Sequence, residues 1–333
     1  MAARSCLYPT LLVFYFMFLT CFPLPAHSSP TYIQGQLPLG VVGPESFAFD
    51  CYGDGPYTGV ADGRIFKYTP GGSWSEFGFT TPYRLRRLCD GSMDPNREFI
   101  CGRPLGLKFD QLTCDLIVAD AYHGLVKIPS TGGHATTLAS SAEGVPFKFL
   151  NSLAVDSDNQ IVYFTESSTN FQRKDFLKVY NSGDRTGRLM SYNLITKQVT
   201  VFLRQIKYAN GIALSKDKDY LLVSEIGNKQ ILRYWLQGPK ANTAEVFTKL
   251  RDAPDNINLN DDGSYWVALN NGRPEGVHTF RNEVIGVKIN RDGNIVQPLQ
   301  GDGLIQSVSE VKEYDGNLLI GTIGMPYIGI TSG

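Results

Sequence analysis

One segment pattern recurs six times along the chain, at intervals of roughly 50 residues. Each copy opens with a short apolar strand that ends at a polar turn, and most copies continue into a second apolar strand. The first strands begin at Ser46, Leu105, Ser152, Gly211, Ile257 and Val308. Short strands that are separated by Gly, Asp and Asn turns and recur at this period are typical of propeller blades. The sequence therefore predicts an all-β fold, a six-bladed β-propeller.

A large β-sandwich is the alternative architecture, but its turns do not usually leave six near-equivalent inner strands. Helix is nearly absent from the pattern, and we expect residues 175–182 to form one helical turn or a long loop that covers one face. The length of 333 residues allows one large domain or two ordinary ones. Because the repeat runs throughout, we expect a single propeller domain over residues 29–333.

The charge balance excludes several classes of partner. Charged residues make up 19% of the chain and the formal net charge is −1. No basic surface of the kind that binds nucleic-acid phosphates or an anionic membrane is therefore expected. The remaining expectation is a small-molecule substrate, and the sequence leaves the oligomeric state open.

The first 28 residues are predicted to be a signal peptide. Arg4 precedes an apolar run over residues 11–19, and a small-residue stretch follows it. A signal anchor is the alternative, but the apolar run is short for a bilayer and Pro23 and Pro25 follow it. We expect cleavage, no membrane attachment afterwards, and a mature protein of the secretory pathway that resides in the vacuole or outside the cell.

Cleavage would leave Cys51, Cys89, Cys101 and Cys114. We predict a disulfide between Cys89 and Cys101, because the short loop that they close has little core of its own to order it. Cys51 and Cys114 lie in strand-like segments and are expected to be buried thiols. The chain has no Cys-x-x-Cys pair, so a zinc site is not indicated.

The residues that open the inner strands carry the strongest signal for a binding site, because these openings converge at one end of a propeller's channel. They are Glu45, Asn151, Asn210, Asp255 and Asn256. Asn and Asp also open many turns by capping backbone groups, but their presence at equivalent points of four blades favours a shared role. Two carboxylates and three amide oxygens form the all-oxygen shell that hard cations prefer, and the irregular set suits Ca²⁺ better than Mg²⁺.

The motifs around these residues resemble the calcium-ligand motifs of paraoxonases and of related lactonase and phosphotriesterase propellers. These motifs are Gly43-Pro44-Glu45, Ala209-Asn210-Gly211 and Asp255-Asn256-Ile257. Nearly the whole mature chain is similar to the plant strictosidine-synthase-like family. The matching segments, in the same order, include 101–107, 120–125, 186–189 and 234–240. The resemblance implies a calcium-dependent propeller enzyme with its active site at the channel.

Two reactions are compatible with that resemblance. Strictosidine synthase condenses tryptamine with the aldehyde of secologanin, and the resemblance implies an essential glutamate near the start of the sixth inner strand. A gap-free alignment places Ser309 there, whereas a shift by one residue places Glu310 there and reverses the face of the strand. The synthase pattern has aromatic residues in place of Asn151 and Ile226 and no ligand-type residue in place of Asn210. These differences favour hydrolysis of a small lactone or ester, aided by the metal.

Two residues are candidates for the base or nucleophile of such a hydrolase. Paraoxonases use a histidine dyad, and the position that matches its first histidine is Leu105. His123, at the end of the second strand of blade 2, is the remaining candidate, and Asp255 is an alternative as both ligand and catalyst. His278 lies in a long insertion of blade 5.

A third hypothesis is a non-enzymatic binding propeller with a structural calcium ion, which a channel plugged by side chains would favour.

Overall fold

The computed structural model describes residues 30–69, 71–270 and 283–332. The predicted signal peptide over residues 1–28 and His278 lie outside the described residues. Within the described ranges, no helix is both long and apolar enough to cross a bilayer.

Six antiparallel sheets form the blades of a β-propeller, which confirms the predicted fold. The first strand of the chain, β1 (Tyr32–Gln36), belongs to blade 6. Blade 1 contains β2 (Phe47–Ala48), β3 (Tyr57–Gly59), β4 (Arg64–Thr69) and β5 (Ser73–Phe79), and the short β9 (Gly133–His134) runs parallel to β5. Blade 2 contains β6 (Pro104–Phe109), β7 (Leu116–Asp120), β8 (Gly124–Ile128) and β10 (Thr136–Ala139), and it is followed by a separate hairpin of β11 (Ser141–Ala142) and β12 (Val145–Pro146). Blade 3 contains β13 (Leu150–Asp156), β14 (Ile161–Glu166), β15 (Gly187–Asn193) and β16 (Val199–Ile206). Blade 4 contains β17 (Ala209–Leu214), β18 (Tyr220–Glu225), β19 (Gln230–Trp235) and β20 (Ala244–Lys249). Blade 5 contains β21 (Ala253–Leu259), β22 (Tyr265–Asn270), β23 (Val284–Ile289) and β24 (Ile295–Gln300). Blade 6 contains β25 (Val308–Tyr314), β26 (Asn317–Thr322) and β27 (Tyr327–Ser332) in addition to β1.

The six predicted first strands are the innermost strands of the blades, namely β2, β6, β13, β17, β21 and β25. Their side chains are buried on both faces because neighbouring blades pack face to face. In the cluster between blades 2 and 3, for example, Ile117 and Ala119 pack with Leu150, Leu153 and Phe164. This two-sided burial explains why the strands read as nearly continuous apolar runs.

The ring is closed by strands from both ends of the described chain. β1 pairs antiparallel with β27 along its whole length, from Tyr32 opposite Thr331 to Gln36 opposite Tyr327. The Tyr32 hydroxyl also donates to the Gln300 carbonyl of blade 5, over 2.6 Å. The first strand therefore completes the last blade, and no blade 6 edge is left open at β27.

Two disulfides are present in the described residues, and only one of them was predicted. Cys89 and Cys101 are bonded, as expected. The prediction that Cys51 and Cys114 are buried thiols was wrong, because they form a second disulfide with a Cα–Cα distance of 5.6 Å. Both residues lie in turns rather than strands, at the same end of the inner hairpins of adjacent blades. The bond therefore joins blade 1 to blade 2.

Short helices lie outside the blades. Helices α1 (Arg86–Cys89) and α2 (Glu98–Cys101) frame the loop that the Cys89–Cys101 disulfide closes. Helix α3 (Phe176–Ser182), preceded by a 3₁₀ turn at Arg173–Asp175, lies in the connection between β14 and β15. It occupies the segment that we expected to be a helical turn or loop over one face. A second 3₁₀ turn spans Ile226–Asn228.

Candidate metal centre

Four of the five predicted ligand residues line one cavity, at the end of the channel where the inner strands begin. They are Glu45, Asn151, Asn210 and Asp255, and each is at most 5% exposed. The pairing of β13, β17 and β21 shifts register at the last three of these positions. Because a β-bulge breaks the alternation of a strand, it can turn a side chain out of the interface between blades. The same irregularity therefore aims three donors at the channel axis.

Each of these four residues has one buried side-chain oxygen without a hydrogen-bond partner. The atoms are Glu45 Oε2, Asn151 Oδ1, Asn210 Oδ1 and Asp255 Oδ1. A buried polar atom that makes no hydrogen bond costs free energy, so four of them on one cavity require an explanation. Carboxylate and amide oxygens that converge in this way are suited to a hard cation such as Ca²⁺.

Hydrogen bonds fix the direction of the amide oxygens. Asn151 Nδ2 donates to Ser167 Oγ over 3.0 Å, and Ser167 in turn donates to the Ala209 carbonyl over 2.7 Å. The Asn210 side chain lies beside Asp255 and lowers the pKa of its carboxyl group, as an N–H donor does. The amide nitrogens therefore face protein groups, and the oxygens are left to face the cavity.

Asn256, the fifth predicted ligand, does not line the cavity. Its Nδ2 lies 3.4 Å from Glu45 Oε1, so this amide supports a candidate ligand residue. Gly211 allows the neighbouring inner strands to approach, because a Cβ at that position would lie 2.5 Å from the Asp255 carbonyl oxygen. The site thus depends on close contact between blades 4 and 5.

Burial makes ionisation of the two carboxylates unfavourable. Burial raises the pKa of Glu45 well above its usual range, and the charge of Asp255 raises it further, while Arg103 opposes the shift. Burial raises the pKa of Asp255 to about 7 in spite of the hydrogen bond from Asn210. A divalent cation would stabilise both ionised groups. The candidate site relies on amide oxygens beside its two carboxylates, because the described residues contain no group of three or more His, Cys, Asp or Glu side chains arranged to hold a metal ion.

The walls of the cavity are apolar. Leu105, Phe149, Tyr208 and Ile226 surround the candidate ligands, and helix α3 contributes further side chains at the mouth, Phe176, Leu177 and Tyr180. A cavity with an apolar wall and a few convergent polar groups at its floor is the usual form of a small-molecule site.

Glu310 and Ser309, the two candidates for the glutamate of the synthase, do not line the cavity; Ser307 does. Ser309 Oγ donates to the Glu45 carbonyl over 2.7 Å. Glu310 Oε1 accepts a hydrogen bond from the Phe47 backbone over 2.9 Å. Burial raises the pKa of Glu310, while Lys108 and Lys312 oppose that shift. Its surroundings are polar and not an apolar slot.

His123 lies in the turn between β7 and β8, outside the cavity lining. Its backbone N–H donates to Asp120 Oδ1 over 2.9 Å, and its Nε2 is buried without a hydrogen-bond partner. Leu105, which occupies the place of the first paraoxonase histidine in the sequence comparison, does line the cavity. The structure thus brings Asp255 to the site but not His123.

A polar network that was not predicted from the sequence holds helix α3 over the cavity. Arg173, at the start of this cap, lines the cavity and forms an ion pair with Glu98 of α2, with an Nη1–Oε1 distance of 2.6 Å. The Tyr122 hydroxyl donates to the other Glu98 oxygen over 2.8 Å and accepts from the Lys174 backbone over 3.0 Å. The long connection between Glu166, where β14 ends, and Gly187, where β15 begins, is the feature of the sequence that could have indicated such a cap.

Comparisons with known proteins agree with this architecture. The family model for strictosidine synthase matches residues 151–239. The protein STRICTOSIDINE SYNTHASE-LIKE 10 of Arabidopsis thaliana is 40% identical over 322 residues, which cover 87% of this chain and 85% of that protein. Strictosidine synthase of Catharanthus roseus is 35% identical over 292 residues, covering 86% of this chain and 82% of the synthase.

Among solved structures, a gluconolactonase from Xanthomonas campestris superimposes with a TM-score of 0.64 at 14% sequence identity. The match covers 90% of this chain and 89% of that structure. At this low identity the likeness concerns the fold.

Proposed function

The chain belongs to the strictosidine-synthase-like family, and from this membership and its candidate metal centre we propose that it is a calcium-dependent hydrolase of a small lactone or ester. The observation that carries the proposal is the convergence of four buried oxygens without partners at the floor of an apolar cavity. Family membership alone is compatible with either a hydrolase or a condensing enzyme. The donor set favours the hydrolase.

Each part of the cavity has a role in this proposal. Calcium bound by Glu45, Asn151, Asn210 and Asp255 would polarise a substrate carbonyl and help to position water. Ser167 keeps the Asn151 oxygen directed at the cavity, and Asn256 holds Glu45. Such support from a second layer of hydrogen bonds keeps metal ligands in place. The apolar wall takes the carbon skeleton of the substrate and excludes bulk water.

A condensation of the strictosidine synthase type is the second candidate. The aromatic wall that Phe149, Phe176 and Tyr208 provide would suit an indole. However, this reaction needs a base beside the substrate. Ser309 and Glu310 both hydrogen-bond the backbone near β2 and do not line the cavity. The hydrolase therefore remains the better supported proposal.

A binding propeller with a purely structural calcium ion is the third candidate. Lys108 Nζ lies 3.2 Å from Asn258 Oδ1, and these residues extend from the inner strands of opposite blades. They cross the channel beneath the candidate metal centre. The cavity on the other side of that centre nevertheless leaves space for a small molecule beside the four candidate ligand residues.

The two disulfides support the further proposal that the protein functions in the secretory pathway, in the vacuole or outside the cell. The signal peptide expected over residues 1–28 would bring it there.

The first test is the metal content of the secreted protein, purified without chelators and measured by mass spectrometry. Thermal unfolding and hydrolysis of a panel of lactones and nitrophenyl esters would be followed before and after calcium chelation. We expect about one calcium ion per chain, a large fall in Tm on chelation, and activity that returns when calcium is restored.

A protein without calcium, whose Tm does not respond to chelation, would contradict the proposed hydrolase. Tryptamine with secologanin would then be the substrate pair to test, with Glu310→Gln as the matched variant. Bound calcium together with inactivity on every lactone and ester, and without product from the condensation, would favour the binding propeller.

A further inference from the structure

Two lysines meet in the central channel on the far side of the candidate metal centre. Lys108 of β6 and Lys312 of β25 lie close enough for the charge of Lys108 to lower the pKa of Lys312. Both are half-buried, and neither lines the cavity. The Lys108 ammonium also donates to Asn258 Oδ1 over 3.2 Å, which holds it in the middle of the channel. The proposed hydrolase has no use for this pair.

The charged groups around Lys312 come from three inner strands and their ends. Lys108 is the neighbouring cation, and Glu310 and Asp261 are the neighbouring carboxylates. Glu310 is engaged elsewhere, since it accepts hydrogen bonds from the Phe47 backbone and from Asn258. Burial, followed by the charge of Lys108, lowers the pKa of Lys312 to about 7. A large share of Lys312 is therefore a neutral amine at neutral pH, which is the nucleophilic form.

Lys312 also lies beside an apolar surface. Its ammonium is 5.8 Å from the centre of the Phe49 ring, and Phe49 stacks on Tyr314 with a centroid distance of 3.5 Å. Tyr314 is 38% exposed and ends β25. Because β25 begins at the cavity, its end lies at the opposite face. A small molecule entering from that face would meet the aromatic pair and then the amine.

We propose that Lys312 is a second reactive site, which captures small apolar aldehydes as imines at the face opposite the candidate metal centre. The lone pair of the amine adds to the carbonyl carbon, and the resulting carbinolamine loses one water molecule to give the imine. No oxidant or reductant takes part in this step, and hydrolysis by water reverses it. The capture is independent of the proposed hydrolysis and needs no metal.

The test is reductive trapping on the folded, full-length mature protein. Propanal and cyanoborohydride would be added at pH 7.5, so that hydride reduces the imine to a secondary amine that peptide mass mapping can locate. Lys240, whose side chain is 59% exposed, serves as the surface reference. We expect Lys312 to be trapped several-fold faster than Lys240. The Lys312 rate should rise with pH and level off above about pH 7.

Variants at Lys108 test the cause of the reactivity. Lys108→Met removes the neighbouring positive charge, so the trapping rate of Lys312 at pH 7.5 should fall by about tenfold for each unit by which its pKa rises. Lys108→Arg keeps the charge and should keep the rate. Thermal unfolding of both variants would verify that they remain folded at the temperature of the assay.

Either of two results would overturn the inference. One is a Lys312 that is trapped no faster than Lys240 in the wild-type protein. The other is a folded Lys108→Met variant in which Lys312 reacts as fast as in the wild type. Neither result bears on calcium binding or on hydrolysis, so the failure of this inference would be distinct from a failure of the proposed function.

Discussion

Asn256 supports the candidate metal centre through a contact with a candidate ligand residue and does not itself line the cavity. Its side chain contacts Glu45 Oε1 instead of the cavity. We expect Asn256→Ala to weaken calcium binding by about tenfold to a hundredfold, as is usual for residues that position metal ligands. Asp255→Asn, which removes one of two charges from the shell itself, should abolish binding. Calorimetric titration of the chelated protein with calcium would measure both.

Asn260 provides a matched control for Asn256. It is also a buried asparagine, but it follows the far end of β21, where its Nδ2 donates to Ser264 Oγ over 3.0 Å. Asn260→Ala should leave the calcium affinity unchanged. If Asn256→Ala bound calcium as tightly as the wild type, the supporting role assigned to this amide would be wrong.

A buried ion pair gives a second test at the residue scale. Arg188 Nε donates to Glu166 Oε2 over 2.7 Å between β14 and β15, and both residues are almost fully buried. Burial raises the pKa of Glu166, and Arg188 opposes that shift. Arg188→Met should lower the free energy of unfolding by about 3–5 kcal/mol at pH 8, because it leaves a buried carboxylate uncompensated.

The loss in Arg188→Met should depend on pH. Without the arginine, the pKa of Glu166 in the folded state rises further above its unfolded value. Stability then falls as the pH rises through that folded value, and it recovers as the pH is lowered and the group takes up a proton. Urea unfolding at pH 5 and pH 8 would show a smaller deficit at pH 5. An equal deficit at both values would contradict this account, and the double variant with Glu166→Gln should remove the pH dependence.

The convergence of four of the candidate ligand residues on one cavity could be predicted because their types and positions repeat from blade to blade. The Cys51–Cys114 bond could not, since it depends on where two turns of adjacent blades meet in space. A local irregularity limited the prediction for Glu310. The pairing of β25 shifts register between Val308 and Glu310, which changes the direction of the side chains there, and composition does not locate such a bulge.

At the scale of elements, the cap formed by α3 depends on the ion pair between Arg173 and Glu98. We expect Glu98→Gln to weaken this tether, so that backbone amides of α3 exchange hydrogen faster and KM for a cavity-bound substrate rises several-fold, with a smaller effect on kcat. Hydrogen exchange by mass spectrometry and steady-state kinetics would measure the two effects.

Asp175→Asn is the control for the cap. It removes another ion pair of the same segment, with Lys178 at 2.7 Å, but the Lys178 side chain is 68% exposed and the pair should contribute little. If Glu98→Gln left both exchange and KM unchanged, the cap would be held by the apolar contacts of Phe176 and Val179 alone. The cap was missed in the sequence because its partners lie in other blades and have no fixed spacing.

At the scale of the whole molecule, the repeat pattern was sufficient to predict six blades but not how the ring closes. The closing strand β1 does not belong to any of the six repeated segments. It is assigned to blade 6 only by its pairing with β27. Ring closure also affects the candidate metal centre, because Ser309 of blade 6 donates a hydrogen bond to the Glu45 backbone carbonyl.

Removal of β1 should therefore weaken both the ring and the site. A mature chain that starts at Leu37 exposes the edge of β27 and loses the contact of Tyr32 with blade 5. We expect a Tm lower by at least several degrees, self-association through the open edge, and weaker calcium binding. A chain that starts at Pro30 keeps β1 and should match the wild type. If the chain from Leu37 stayed monomeric with an unchanged Tm, the ring would be stabilised by packing between blades, without a contribution from its closure.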